Sequence, residues 1–266
     1  MIKKFTHLKN QIVLITFALT FSLITFSCDR FSQPDRTPTK EGWKEFTINE
    51  NGDSLMTFFK KDGTKKSEVT FKNGFHDGVG YTYYDDGVVQ YEIHYKEGYK
   101  DGETKWFYQS GKLYRTTQYK MGSKDGMQRK YYENGNLKSE VLYKDNEPQE
   151  GLREFKEDGT PYKIYPKIKF KEIDKLAFEN KIILQVYLEP KGSKTKYYII
   201  KNIDGEDHFI SLSLQTKHGK ANIEYSLAPG RSVMEKLQLR VVTQTKRGNP
   251  LVLHKTYNMA AENRFN

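Results

Sequence analysis

The chain has 266 residues, of which 36% are hydrophobic, 29% charged and 14% aromatic, with a formal net charge of +10. That balance excludes a multi-span membrane protein and a large buried core, and 19 Tyr with 16 Phe exclude a disordered chain. A single Cys excludes an internal disulfide framework, and the length accommodates two modest domains.

Lys3, Lys4 and Lys9 precede an uncharged, mostly apolar run from Ile12 to Ser27. This run falls short of the roughly 20 residues that a spanning helix needs and suits the apolar region of a signal peptide. The one Cys, Cys28, stands where the run stops, after the small Ser27 and before the polar Asp29 and Arg30. The arrangement resembles a bacterial lipoprotein signal, which implies loss of residues 1–27 and acylation of Cys28. An ordinary signal peptide or an uncleaved anchor is the alternative. Several acyl chains, at about 0.8 kcal/mol per buried methylene, make such an attachment stable. The expected address is a bacterial cell envelope, on its periplasmic or surface face, with membrane contact through lipid alone. The positive excess is spread along the chain without a Lys/Arg block, so no nucleic-acid partner is expected.

Residues 28–41 are polar, hold two Pro and show no periodicity, which predicts a flexible tether. A repeat follows over 42–170. Asp77-Gly78, Asp101-Gly102, Asp125-Gly126 and Glu150-Gly151 fall 24, 24 and 25 residues apart. A second Gly recurs nine residues on, at Gly87, Gly111 and Gly135, with Gly63 and Gly159 at the ends. Phe59, Tyr83, Phe107, Tyr131 and Phe155 stand four residues before it. A third Gly closes three units at Gly74, Gly98 and Gly122, and Asn146 replaces it in the fourth. Val89, Tyr91, Ile93 and Tyr95 alternate with polar residues, the period of a half-buried strand. Asp86-Gly87, Ser110-Gly111 and Asn134-Gly135 are turn dipeptides that supply positive φ. Each unit is therefore predicted to be a β-hairpin, and successive hairpins to pair into an elongated antiparallel meander.

These units, with Asp-Gly, paired aromatics, Asn-Gly and Tyr-x-x-Gly, resemble the bacterial variant of the MORN repeat. That variant occurs in YwqK-type antitoxins and in envelope proteins of Bacteroidetes-like bacteria. The resemblance implies a repeat scaffold that binds a partner.

From Lys171 the 24-residue period is gone. Strand-like runs at 181–189, 196–202, 208–214, 221–227, 236–244 and 250–259 are separated by turn groups, which predicts a β-sandwich of immunoglobulin-like size over 171–266. Continuation of the meander is the competing reading. The fold class is thus all-β throughout.

Catalytic signatures are missing: there is no Walker loop, nucleophile elbow, HExxH or CxxC, and no Cys beyond position 28. The His residues are scattered, and the acidic run Asp204-Gly205-Glu206-Asp207 lacks the ligand spacing of a calcium loop. No catalytic residue, metal or cofactor is expected. The candidate contact residues are Tyr84, Tyr108 and Tyr132, whose column gives way to Lys60 and Lys156 in the outer units. Adjacent strand residues point to opposite faces, so the uninterrupted Phe59–Phe155 column is assigned to packing and the tyrosines to a partner. The competing reading makes the tyrosines part of the repeat packing. The expected function is a lipid-anchored, non-enzymatic interaction scaffold for another envelope protein. A glycan- or peptidoglycan-binding module, or an antitoxin or immunity-type protein that neutralises a partner, are the alternatives.

Overall fold

The structure, a computed structural model, describes residues 35–48, 52–202 and 209–264. The signal segment 1–27, Cys28, the first part of the tether and the acidic run at 204–207 lie outside the described residues. The first strands are β1 (Asp35–Thr39), β2 (Gly42–Ile48), β3 (Ser54–Lys60), β4 (Lys65–Lys72) and β5 (Phe75–Tyr83). Next come β6 (Val89–Lys96), β7 (Tyr99–Lys100), β8 (Gly102–Phe107) and β9 (Leu113–Lys120). The array closes with β10 (Ser123–Tyr131), β11 (Leu137–Lys144), β12 (Glu147–Pro148) and β13 (Arg153–Glu154). They form one 13-stranded sheet in chain order, with β7 and β13 pairing beside β6 and β11. Every pairing is antiparallel, as short hairpin connections require. One correction concerns the tether: residues 35–39 are not free chain but the edge strand β1, paired from Asp35↔Phe46 to Thr39↔Gly42.

Three local devices recur and explain the period. The turn after each residue of the Phe59–Phe155 column is a closed loop. Tyr84 N–H donates to the Val88 carbonyl at 2.8 Å, and Gly87 N–H donates back to the Tyr84 carbonyl at 3.0 Å. The same pair of bonds recurs at Tyr108, Tyr132 and, in the outer units, Lys60 and Lys156. Asp62, Asp86, Asn134 and Asp158 add a side-chain oxygen that accepts the amide two residues on, at 2.8–3.1 Å. The second device is the two-residue turn at Asn73-Gly74, Glu97-Gly98, Met121-Gly122 and Asp145-Asn146. Both residues have positive φ there, the type I′ signature that matches strand twist. The third is a bulge at each Asp-Gly pair, where the ladder jumps from Phe71↔His76 to Val69↔Gly80. Gly126 at one such bulge has φ +113, and a Cβ there would lie 2.9 Å from that of Gln118.

A further irregularity alters the alternation read from the sequence. The register shifts between Thr82 and Tyr83, so that Tyr83 pairs with Val89 while Thr82 pairs with Tyr91. Val89 therefore shares a face with Tyr83, and Tyr91, Ile93 and Tyr95 form the opposite set.

The remaining chain builds β14 (Lys167–Lys175), the single turn α1 (Leu176–Glu179), β15 (Lys181–Glu189), β16 (Ser193–Asn202) and β17 (Phe209–Ser213). It ends with β18 (Thr216–Lys217), β19 (Lys220–Ser226), β20 (Ser232–Gln244) and β21 (Pro250–Glu262). Two four-stranded sheets result, β14-β15-β19-β18 and β17-β16-β20-β21. Alternate residues of β15, Ile182, Leu184, Val186 and Leu188, are buried, and the middle pair meets Tyr197, Leu237, Leu239 and Val241 of the other sheet in one core. This is a β-sandwich, not a continued meander. Its first strand starts at Lys167, so the change of architecture precedes the loss of period at residue 171 by a few residues.

Candidate functional site

The repeat sheet is a single layer, and its two faces differ in chemistry. On one face the charges are closed on each other. Glu92 accepts from Lys105 at 2.8 Å and contacts His94 at 3.2 Å, while Glu68 takes Lys65 at 2.9 Å and the Tyr83 hydroxyl. Burial opposes ionisation of Glu92, yet the Lys105 and His94 bonds hold its carboxyl below the ordinary range. Gln118 donates to Glu103 at 3.2 Å, and Glu140 is held between Arg129 and Arg153. Little on this face is left to satisfy.

The other face is aromatic and basic. Trp106 on β8 is its centre. Its ring stacks on Tyr91 of β6 at 5.2 Å and 24°, and meets Tyr114 of β9 edge-on at 4.6 Å. The Arg115 guanidinium lies 4.8 Å over it, and its Nε1 donates to the Tyr84 hydroxyl at 3.3 Å. Tyr108 extends the cluster, 5.0 Å from Tyr114. Cross-strand register explains the meeting: Tyr91 is opposite Trp106, and Trp106 is opposite Arg115. Beside the indole a groove of about 340 Å³ runs between Ile93, Thr104, Thr117, Tyr119 and the Lys100 and Arg115 side chains. Arg115 makes no ion pair among the described residues. Burial first, then the Arg115 charge, lowers the pKa of Lys124 and of Lys130 further along this face.

The sandwich covers only the far end of the same face. Val141, Tyr143 and Leu152 pack with Leu251 of β21, and Lys130 Nζ donates to Asn249 Oδ1 at 2.8 Å. The Trp106 groove stands immediately before that covered stretch.

Tyr84, Tyr108 and Tyr132, the residues singled out from the sequence, stand on the aromatic face, but their hydroxyls are committed to the repeat itself. They donate to the carbonyls of Phe107, Tyr131 and Phe155, one unit on, at 2.7, 2.9 and 2.8 Å. Equivalent strands of successive units lie about 10 Å apart, too far for these rings to stack, and the phenol oxygen crosses that gap. In the first unit Lys60 occupies the column and pairs with Asp85 across the same gap. At the opposite edge, Asp77 and Asp101 accept the amides of Glu97 and Met121 at 3.2 and 3.1 Å, again joining successive units. Tyr84 and Tyr108 contribute ring surface to the cluster, and Tyr91, Trp106 and Arg115 are the site residues that the sequence reading did not select. A search for recurrence passes over them because Trp106 occurs in one unit only; cross-strand register brings them together.

Residues 77–97, 100–121 and 124–145 match the MORN repeat variant, so the middle of the sheet consists of MORN-variant units. No curated protein matches the chain. Among the described residues no group of three His, Cys, Asp or Glu is placed to hold a metal ion, and no helix is long and apolar enough to cross a membrane.

Proposed function

We propose that this chain is a lipid-anchored, non-enzymatic scaffold of a bacterial envelope that holds another protein on the aromatic face of its MORN-variant repeats. The observation that carries the reading is the Trp106 cluster with Arg115 at its edge, on a face that the sandwich covers only at one end. Trp, Tyr and Arg are the residue types that supply most binding energy when a partner buries them. Lys100 and Arg115 on the groove wall favour a partner that presents acidic and apolar side chains together.

A photo-crosslinking residue at Ile93, in the groove, is expected to capture one dominant protein in cells, while the same residue at Gln118 on the charged face captures none. Equal capture at both positions, or at Gln118 alone, removes the proposal. The stacked Tyr91 and Trp106 rings also suit a sugar, and retention on purified cell wall that is lost in Trp106→Ala favours the glycan reading. The anchor rests on Cys28 following an apolar run. Intact mass of membrane-extracted protein should show acylated Cys28 and no residues 1–27.

A further inference from the structure

A larger cleft, of about 680 Å³, lies where the last repeat meets the sandwich. Its walls come from Lys156 in the last repeat turn and three further segments: 160–166, 190–193 between β15 and β16, and 244–247 at the β20–β21 turn. The size is within the range of about 300–1,000 Å³ typical of small-ligand sites. Pro161, Tyr162, Ile164, Tyr165, Pro166 and Pro190 give it an apolar lining. Ile164 is 85% exposed, a large aliphatic side chain left uncovered at this wall.

The charge around this lining has one sign. Arg247 is neutralised by Glu154, whose Oε2 accepts from Arg247 Nε at 2.8 Å and Nη2 at 2.6 Å, and its guanidinium is stacked 3.6 Å from the Tyr162 ring centre. Lys156, Lys163, Lys191 and Lys246 also line the cleft, all four are exposed, and none makes an ion pair among the described residues. No Asp or Glu lines it. The hydroxyl of Tyr165, a wall residue, is buried without a well-formed hydrogen bond.

An apolar trough ringed by four ammonium groups that make no ion pair among the described residues selects against cations and against fully polar anions. We propose that the cleft binds a single-chain amphiphilic anion, an acyl or alkyl chain ending in a carboxylate or a phosphate. The chain lies along the proline and tyrosine wall while the head group meets the lysines. This site is separate from the Trp106 groove and does not depend on the function proposed for it.

Calorimetric titration of the full mature chain with dodecanoate and with dodecyl phosphate, each below its micelle concentration, tests the proposal. Saturable one-to-one binding of at least one is expected, about tenfold or more tighter than dodecyltrimethylammonium. The tighter of the two anions identifies the head group. Lys163→Glu combined with Lys246→Glu should weaken the anion by about tenfold and abolish the preference over the cation. Ile164→Glu, at an exposed position, should weaken the anion while leaving the melting temperature unchanged. Absence of saturable binding by either anion, or cation binding of equal strength, overturns the proposal.

Discussion

Tyr108 is both a ring in the aromatic cluster and a tie between units, and the two roles separate by substitution. Tyr108→Phe keeps the ring 5.0 Å from Tyr114 and removes only the donor to the Tyr131 carbonyl. A neutral hydrogen bond contributes about 1 kcal/mol, so urea denaturation should show a loss of that size. An unchanged stability would mean that water replaces the phenol at no cost. The column was legible in the sequence as a column, and its position on the face opposite Phe107 follows from strand alternation. Its bond was not legible, because a phenol reaching a carbonyl 23 residues on depends on how closely two hairpins approach. Trp106 illustrates the complementary limit. Its partners Tyr91 and Arg115 come from neighbouring strands, and only the register that sets Tyr91↔Trp106 and Trp106↔Arg115 selects them.

At the level of the hairpin, the Gly positions carried the architecture, since positive φ is demanded at the same places in each unit. The Asp-Gly pairs are the part that sequence alone misplaces most easily: they mark bulges within β5 and β10 rather than loop ends. A bulge and a turn both ask for Gly, and composition does not separate them. Two turns keep an unfavourable residue, Glu97 with φ +50 and Met121. Met121 has φ +47 at the first position of its type I′ turn, where Asn73 serves in an earlier unit, and the residue is 53% exposed. A left-handed conformation costs an ordinary side chain roughly 1–2 kcal/mol, and Asn tolerates it better. Met121→Asn should therefore raise stability by about 1 kcal/mol in a thermal melt with little loss of packing. A lower melting temperature would show that the Met side chain contributes contacts worth more than the strain. The sandwich strands were legible from their alternation, β15 most clearly; β14 was not, because its Lys and Glu residues mask the buried Ile168.

Across the whole molecule, repeat and sandwich are joined through Glu154, a fully buried carboxylate on the short last strand of the repeat sheet. It accepts from Arg247, from Thr245 Oγ1 at 2.7 Å and from Asn249 Nδ2 at 2.6 Å, all from the β20–β21 turn. Removing Glu154 leaves buried Thr245 and Asn249 without their acceptor and Arg247 without its partner. Because Arg247 keeps 28% of its side chain exposed, the cost is about 3 kcal/mol, the lower end for a buried pair. Glu154→Ala should lose stability on that scale in chemical denaturation and split the transition, with the sandwich core unfolding apart from the repeats. A single, barely shifted transition would show that the Val141–Leu251 contacts alone hold the junction. The ties between units lead to a different property. Since Asp77 and Asp101 grip the following turn alike, and Tyr84, Tyr108 and Tyr132 grip the following strand alike, the interior units outside the Trp106 cluster are interchangeable in the way they join. Duplicating one 24-residue module moves the sandwich relative to β1 by two strand widths, about 10 Å, without exposing a new kind of surface. Reach is therefore adjustable in whole steps by the number of modules encoded, and the repeat array doubles as a ruler.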